Sequence, residues 1–498
     1  MTQAEEKIDL SRYVSNQDKN VYAIYNLPEE VIAVIFAYVS RSPAGFRENL
    51  AKLLKDDELA VGDSSGGMAT AYSEKAARFH EKWVVGYGHS SVAEHAVAHL
   101  GVEQISRLAS AELELANTFN SFTEYSQRYQ RPVRGSFHIP AELESRPAAK
   151  EAFIRLNGKA YDTYERLLAG LVPYLEATLP RNEGESDKRF SSRVEKVAFE
   201  DARYVLTLAT QTSLGLTGNG RALRDTLVRL LSSRHSESRK LARQMEREIS
   251  RVIPTLLKHV RPSDYLLETR KELMENPIQP PETSWRGRAF DGPCARFVRL
   301  PDYRQALEDL CAHLLVEAYG FSWEQAESAV KQMEQKEMET RLEAALKHLR
   351  FFDNPKDLFR HLFYTMELSV SEANWHQLLR HNRGTHFTFG EPAVDWGYTV
   401  PPHVRAAGLA EPFSRLVEEA DRVHEQMMEE CPEAAPYCVT NAHHRQVVAT
   451  ASLWEMYHLI NLRTTPEAQW DIRHAFEQLF TEWEKEHPVL ARYAKRRG

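Results

Sequence analysis

The sequence predicts an α/β protein of the helix-rich, α+β kind, built from two halves that echo each other. Three observations carry that expectation. Phe153, Leu156, Ala160, Tyr164, Leu167 and Leu171 keep the three-to-four spacing of an amphipathic helix across residues 148–180. Phe363 to Val370 alternates as a half-buried strand does. Between them, Pro254, Pro262, Pro277, Pro280, Pro281, Pro293 and Pro301 form the one sustained proline-rich span, which reads as a linker. A boundary near 285 divides the chain into domains 1–284 and 285–498.

Residues 27–57 read as two helical pieces broken at Ser42-Pro43, because proline disfavours helix at the residue before it. Gly62 to Gly67 is a turn that lacks the Lys-Ser/Thr of a phosphate-cradling loop, and Tyr72 to Trp83 reads as a helix. In the run Gly88 to His99, a helical reading would let His95 and His99 share a metal, although no third ligand is evident. Gly88-His89 ahead of a serine pair equally suits a helix start that meets an anion. Helices are expected at Arg221–Leu231 and Glu237–Val252. The glycines from Gly215 to Gly220 form only a weak dinucleotide signal, since no acidic residue follows in a strand context.

The second half repeats this order loosely. A charged helix is expected from Trp323 to about Arg350, then the strand at Phe363, and an amphipathic helix at Leu416–Met428. Ala435-Pro436-Tyr437 stands where the first half has Ala202-Arg203-Tyr204, and two helices end the chain.

Composition excludes several classes. At 498 residues, with 27% charged and 42% hydrophobic, the chain suits a soluble globular protein of more than one domain. A net charge of -8 argues against a nucleic-acid partner. The longest apolar run, Val31 to Val39, falls far short of the roughly 20 residues of a membrane helix. The polar, acidic start is unlike a signal peptide, so a cytoplasmic location is expected. Cys294, Cys311, Cys431 and Cys438 show no CxxC spacing and read as ordinary buried thiols.

Three stretches have the look of sites. Ser121-Phe122-Thr123-Glu124-Tyr125-Ser126-Gln127-Arg128-Tyr129 offers hydroxyls, a carboxylate and a guanidinium that suit an anion. It equally suits an exposed polar turn with Tyr125 and Tyr129 packed inward. Arg380, His381 and Arg383 concentrate donors at the end of an apolar stretch, fit for a phosphate or for the negative end of a helix dipole. In Asn461 to Ile472, Thr464 or Thr465 reads as a helix cap with Pro466 in the first turn. That would put Arg463 just before a helix N-terminus, where donors converge on an anionic oxygen.

Together with Gly88-His89…Glu94-His95, these runs resemble the flavin-dependent thymidylate synthases, over roughly 80–270 and 350–490. Asn461-Leu462-Arg463…Ala468-Gln469-Trp470-Asp471-Ile472 is the most specific part. The resemblance implies two tandem domains of that kind. Family members are homotetramers of a subunit about half this length. They bind FAD without a Rossmann fold, at sites shared between subunits. With methylenetetrahydrofolate and reduced flavin they convert dUMP to dTMP, using no cysteine nucleophile, and NADPH is the usual reductant.

Departures from the family pattern are divided between the halves. Where the signature opens Arg-His-Arg, the first half has Ala116-Asn117-Thr118, and Thr123 replaces its usual asparagine; Ser121, Glu124, Ser126 and Arg128 remain. The second half keeps Arg380-His381, followed by Asn382-Arg383, and loses the closing Ser-x-Arg to Gly390-Glu391-Pro392. Arg203 matches a phosphate-binding arginine that is Pro436 in the second half. Arg463 matches the arginine over the uracil ring, where the first half has Leu230 or Leu231.

The resemblance therefore implies one composite site from complementary halves, and two chains forming a homodimeric pseudo-tetramer. Ser126, Arg128, Arg203 and the backbone N–H of Gln127 would hold the dUMP phosphate. Gln377 and Arg380 would orient the nucleotide, and Arg463 would stabilise charge developing on the uracil. His89, Glu124, Asn219, His381 and Arg383 would hold FAD. No metal is implied. The alternatives are a homologue that binds flavin or nucleotide without catalysis, and an enzyme acting on another pyrimidine nucleotide.

Overall fold

The computed structural model describes residues 9–39, 45–55, 90–258, 260–278 and 285–496. In chain order the first half gives α1 (Glu29–Val39), α2 (Phe46–Lys55), α3 (Ser90–Ala93), β1 (Val97–Ser106), α4 (Arg107–Ala116) and β2 (Ser121–Glu124). Next come α5 (Pro147–Thr178), α6 (Asp187–Ala202), β3 (Gln211–Asn219), α7 (Gly220–Leu231), α8 (Ser236–Ile249) and α9 (Asp264–Glu275). The second half gives β4 (Ala289–Phe290), β5 (Cys294–Arg299), α10 (Tyr303–Tyr319), α11 (Trp323–Val330), α12 (Gln335–Leu346), β6 (Phe363–Ser371) and α13 (Glu372–Leu378). It continues with β7 (Thr385–Phe389), β8 (Tyr398–Thr399), α14 (Pro402–Ala406), α15 (Ala410–Glu430), β9 (His444–Ser452), α16 (Leu453–Arg463), α17 (Trp470–Glu486) and α18 (Pro488–Ala491). Helix-rich α+β is thus the observed class. Ser42-Pro43, the Gly62–Gly67 turn, the Tyr72–Trp83 helix and Gly88-His89 lie outside the described residues.

The chain forms two compact units that do not follow its halves. The first holds 1–105, 112–124 and 212–279; the second holds 106–111, 125–211 and 280–498. In the first unit the sheet order is β1-β3-β2, with β2 antiparallel to β3. In the second it is β5-β6-β9-β7, antiparallel throughout, with Phe363 opposite Ser452 and Ser371 opposite His444. The order β1-β3-β2 recurs as β6-β9-β7, and β3 and β9 each run directly into a helix. The loose repeat in sequence is therefore a clear repeat in topology.

Within the second unit, first-half residues share a core with second-half ones. Helix α5 opens with Pro147 in its first turn and buries all six apolar positions that the spacing selects. It packs against α15 in one cluster that includes Leu156, Tyr164, Phe413 and Leu416. Short 3-10 turns at Arg203–Val205 and Ala435–Cys438 occupy corresponding places in the repeat. After them the backbones bond reciprocally: Leu208 N–H to Val439 O (2.8 Å) and Ala209 N–H to Tyr437 O (3.2 Å), then Asn441 N–H to Leu206 O (2.8 Å) and Ala442 N–H to Tyr204 O (2.9 Å).

Two expectations need correction, the single helix from Trp323 and the buried Cys294, and the two weak signals at His95/His99 and Gly215–Gly220 take other structural places. The single helix from Trp323 is two, α11 and α12. Each packs on α10, and a turn closed by Met333 N–H on Val330 O separates them. His95 and His99 do not share a helical face, because α3 stops at Ala93 and β1 starts at Val97. His95 instead packs on Phe36, and His99 Nδ1 meets Thr217 Oγ1 at 2.8 Å. The Gly215–Gly218 stretch is strand, where a Cβ on Gly218 would strike the Asn120 side chain. Of the four free thiols three are buried, and Cys294 is exposed.

Candidate functional site

The second unit gathers Ser126, Gln127, Arg128, Arg203, Gln377, Arg380, His381, Arg383 and Arg463. Glu124 and Asn219 belong to the first unit, and His89 lies outside the described residues. Glu124 ends β2, while the Asn219 side chain caps α7 by accepting from Ala222 N–H at 2.9 Å.

The segment after β2 turns tightly. Tyr129 N–H bonds Ser126 O, and Ser126 Oγ accepts from Arg128 N–H at 3.3 Å. Tyr125 and Tyr129 are 39% and 55% exposed, so they do not pack inward as a simple polar turn would have them. Arg128 Nε donates to Glu200 Oε1 of α6 at 2.6 Å, and its Nη2 reaches Glu467 O at 3.2 Å. Two turns of chain with no sequence proximity are thereby tied to one guanidinium.

Arg203, in the 3-10 turn after α6, is only 4% exposed. Its Nε–H leans on Glu200 O at 3.4 Å, while its buried Nη2 has no hydrogen-bond partner. Burial, with Arg128 and Arg107 adding repulsion, lowers its pKa to about 10, so it stays charged at neutral pH. A second donor without an acceptor, Gln127 Nε2, lies close by: Asn441 Nδ2 donates both to Gln127 Oε1 (3.4 Å) and to Arg203 O (2.9 Å). Buried donors that lack acceptors are costly, and a charged one more so. A phosphate is the kind of group that would satisfy them.

Arg463 comes from the other side of the repeat. It is the last residue of α16, so the expected position before a helix N-terminus is wrong. Thr464 Oγ1 turns back to Ile460 O (2.8 Å) instead of capping forward, and the next helix waits until Trp470. Arg463 Nε donates to His381 Nε2 at 2.8 Å and Nη2 to Gln377 O at 3.0 Å. Burial, Arg380 and Arg128 push its pKa down to about 10. That coupling joins first-half Arg128 and second-half Arg380 and Arg463 in one positive field. Arg380 and Arg383 sit exposed at the basic end beyond α13.

Residues missed in the sequence complete the cluster. Gln377 Nε2 reaches Gln469 Oε1 (3.3 Å), Gln469 donates to Tyr204 OH (2.9 Å), and Tyr204 OH donates to Asp471 (2.7 Å). Asp471 also accepts from Ser371 Oγ and from Asn374 Nδ2. Gln469 and Asp471 stood within the quoted run, so their type was visible while their partners were not. His376, buried and hemmed by Arg107, Arg445, Arg380 and Arg203, is held neutral well below its ordinary range. Nothing in its spacing signals this.

His381, Glu455 and His458 lie close enough to hold a metal by ligand count. The proton arrangement opposes it. A metal-binding histidine donates its second N–H to an acceptor, whereas His381 Nε2 already accepts from a guanidinium. A metal at Nδ1 would demand an imidazolate.

The fold and this arginine cluster define an α+β protein with an internal repeat, one of whose two units draws on both halves. It belongs to the thymidylate synthase complementing protein family (Thy1), which matches residues 20–255 and 301–489. A UPF0159 protein of Chlamydia muridarum is 26% identical over 526 residues, covering 99% of this chain and 94% of its own. A flavin-dependent thymidylate synthase of Clostridium tetani is 29% identical over 198 residues, 39% of this chain and 75% of its own. A solved UMP/dUMP methylase PolB from Streptomyces cacaoi, bound with 5-Br dUMP, is 15% identical at a TM-score of 0.34, covering 41% of this chain and 95% of its own.

Proposed function

We propose that this protein methylates dUMP to dTMP with methylenetetrahydrofolate, FAD and NADPH, at a site composed from both halves. The carrying observation is the buried, acceptor-less Nη2 of first-half Arg203, in the unit that also holds second-half Arg380 and Arg463. Family membership and flavin-dependent thymidylate synthases among the relatives support the reaction class. Arg203, Gln127 and Ser126 would take the phosphate, with Arg128 oriented beside them by Glu200. Gln377 and Arg380 would orient the nucleotide. Arg463 would stabilise negative charge on the uracil oxygen, a role its fixed position suits.

The exposed donors Arg380 and Arg383 fit the charge of a flavin pyrophosphate. The flavin would supply the electrons of the reductive step. Two chains would pair as a pseudo-tetramer in the cytoplasm. Among the described residues no helix is long and apolar enough to cross a membrane.

The test is dTMP formation from dUMP by purified protein. Product dependent on FAD, NADPH and methylenetetrahydrofolate together is expected, and Arg463→Ala should abolish it with flavin content near normal. Bound nucleotide without product would leave a binding protein or a different pyrimidine substrate.

A further inference from the structure

We propose that Glu455 and His381 are positioning residues that fix the Arg463 guanidinium in the orientation used for turnover. This rests on the reading of Arg463 as the functional arginine. The geometry is a three-member chain. Arg463 Nε donates to His381 Nε2 at 2.8 Å, and on the far edge of the ring His381 Nδ1 faces Glu455 Oε1 at 3.7 Å. The two inner side chains are each only 6% exposed.

Proton positions follow from the first bond. An imidazole that accepts at Nε2 and stays neutral must carry its hydrogen on Nδ1, directed at the Glu455 oxygen. Burial, and then Arg463, His458 and Arg380 around the ring, oppose a second proton on it. The ring therefore accepts from the guanidinium at Nε2 and turns its Nδ1–H toward the Glu455 carboxyl, a polar contact at 3.7 Å that is longer than a hydrogen bond. Reversing it would set two N–H groups against each other.

The chain also makes room for this carboxyl. Gly384 follows the His381 turn without a positive φ, so backbone strain does not explain the glycine. A Cβ there would fall 2.5 Å from Glu455 Cδ, so the absent side chain admits the carboxyl against the turn. Glu455 in turn sits in the first turn of α16, whose last residue is Arg463. One rigid helix thus carries both the buried anchor and the arginine, and the His381 turn bridges them. With Nε held by His381 and one Nη2 hydrogen by Gln377 O, the guanidinium has little freedom left, and its other hydrogens remain for a ligand.

The test combines kinetics with a measurement that needs no activity. Glu455→Leu should lower kcat about tenfold or more while KM for dUMP stays within about twofold, as loss of orientation without loss of binding does. Glu455→Gln keeps a carbonyl dipole facing Nδ1–H and should restore most of that loss. Nitrogen-15 NMR of histidine-labelled full-length protein, with His381→Gln to assign the signal, should show a neutral Nδ1–H ring between pH 6 and 8. An Nε2–H ring, a protonated ring, an active Glu455→Leu, or a Glu455→Gln as impaired as Glu455→Leu would each overturn the proposal. Full turnover by Arg463→Ala would instead remove the functional reading beneath it, and the tautomer measurement would still report on the chain itself.

Discussion

Arg203 carries a charge to a place where its outer nitrogen has nothing to bond. Such a group burdens the empty protein and is relieved by an anion, so its two effects should separate on mutation. Arg203→Met, which keeps the bulk and removes the charge, should leave the ligand-free melting temperature unchanged or raised. The same change should weaken dUMP binding at least about tenfold, the scale of one lost charge-assisted hydrogen bond. Calorimetric titration and a thermal melt read the two effects, and an unaltered dUMP affinity would reject the phosphate role. Arg128 differs because Glu200 already holds it at 2.6 Å. Arg128→Ala should weaken dUMP binding and also loosen the 125–131 turn, visible as faster chymotryptic cleavage after the exposed Tyr129. Tight binding with an intact turn would assign Arg128 to structure alone.

At the scale of elements, the β6–β9 ladder has a titratable weak point. His444 on β9 is clamped between Ser369 Oγ (3.1 Å) and Thr399 Oγ1 (2.6 Å), stacked on Phe290. Burial and His443 push its pKa down to about 3. Below its ordinary value near 6.5 the unfolded chain takes up a proton that the folded one refuses. Stability should therefore fall as pH drops from about 6.5, by up to ~1.4 kcal/mol per pH unit from this group. His444→Gln should flatten that slope in urea titrations between pH 7 and 5; identical slopes would show that other groups govern it. His403, raised by its bond to Asp201, has the opposite sign and loses its contribution as pH rises. The elements themselves were largely legible: α5 is spelled out by six apolar positions, and β6 by alternation. What misled was local chemistry with two outcomes. Thr464-Thr465-Pro466 has the composition of a helix start, yet the Thr464 hydroxyl bonds backward to Ile460 and ends one. The turn splitting α11 from α12 carries no glycine or proline to announce it. Arginine types were readable at the site, whereas the Glu455–His381–Arg463 chain joins residues 74 and 82 positions from His381's own place to beyond it, a separation no spacing rule spans.

For the whole molecule, the informative fact is that residues 125–211 pack into the same unit as 280–498. The joint is made of backbone bonds between 204–209 and 437–442, which any side chains permit and sequence therefore conceals. It is sealed by one core in which Leu156 and Tyr164 meet Phe413 and Leu416, all at most 4% exposed. Lys159 and Glu419 add an exposed ion pair at 2.6 Å, a minor term beside the burial. A polypeptide cut at 284/285 should accordingly not yield two independent domains. The isolated 285–498 piece would leave the α15 face without α5, and the isolated 1–284 piece would expose the complementary apolar stripe. Each piece expressed alone should be insoluble or largely unfolded by circular dichroism. Expressed together, with a tag on one only, they should purify as a 1:1 complex and regain whatever dUMP binding the intact chain has. The regained binding is the sharper readout, because Arg203 would arrive on one fragment and Arg463 on the other. Two soluble, folded fragments that ignore each other would mean that the shared core is not what holds the halves in one unit.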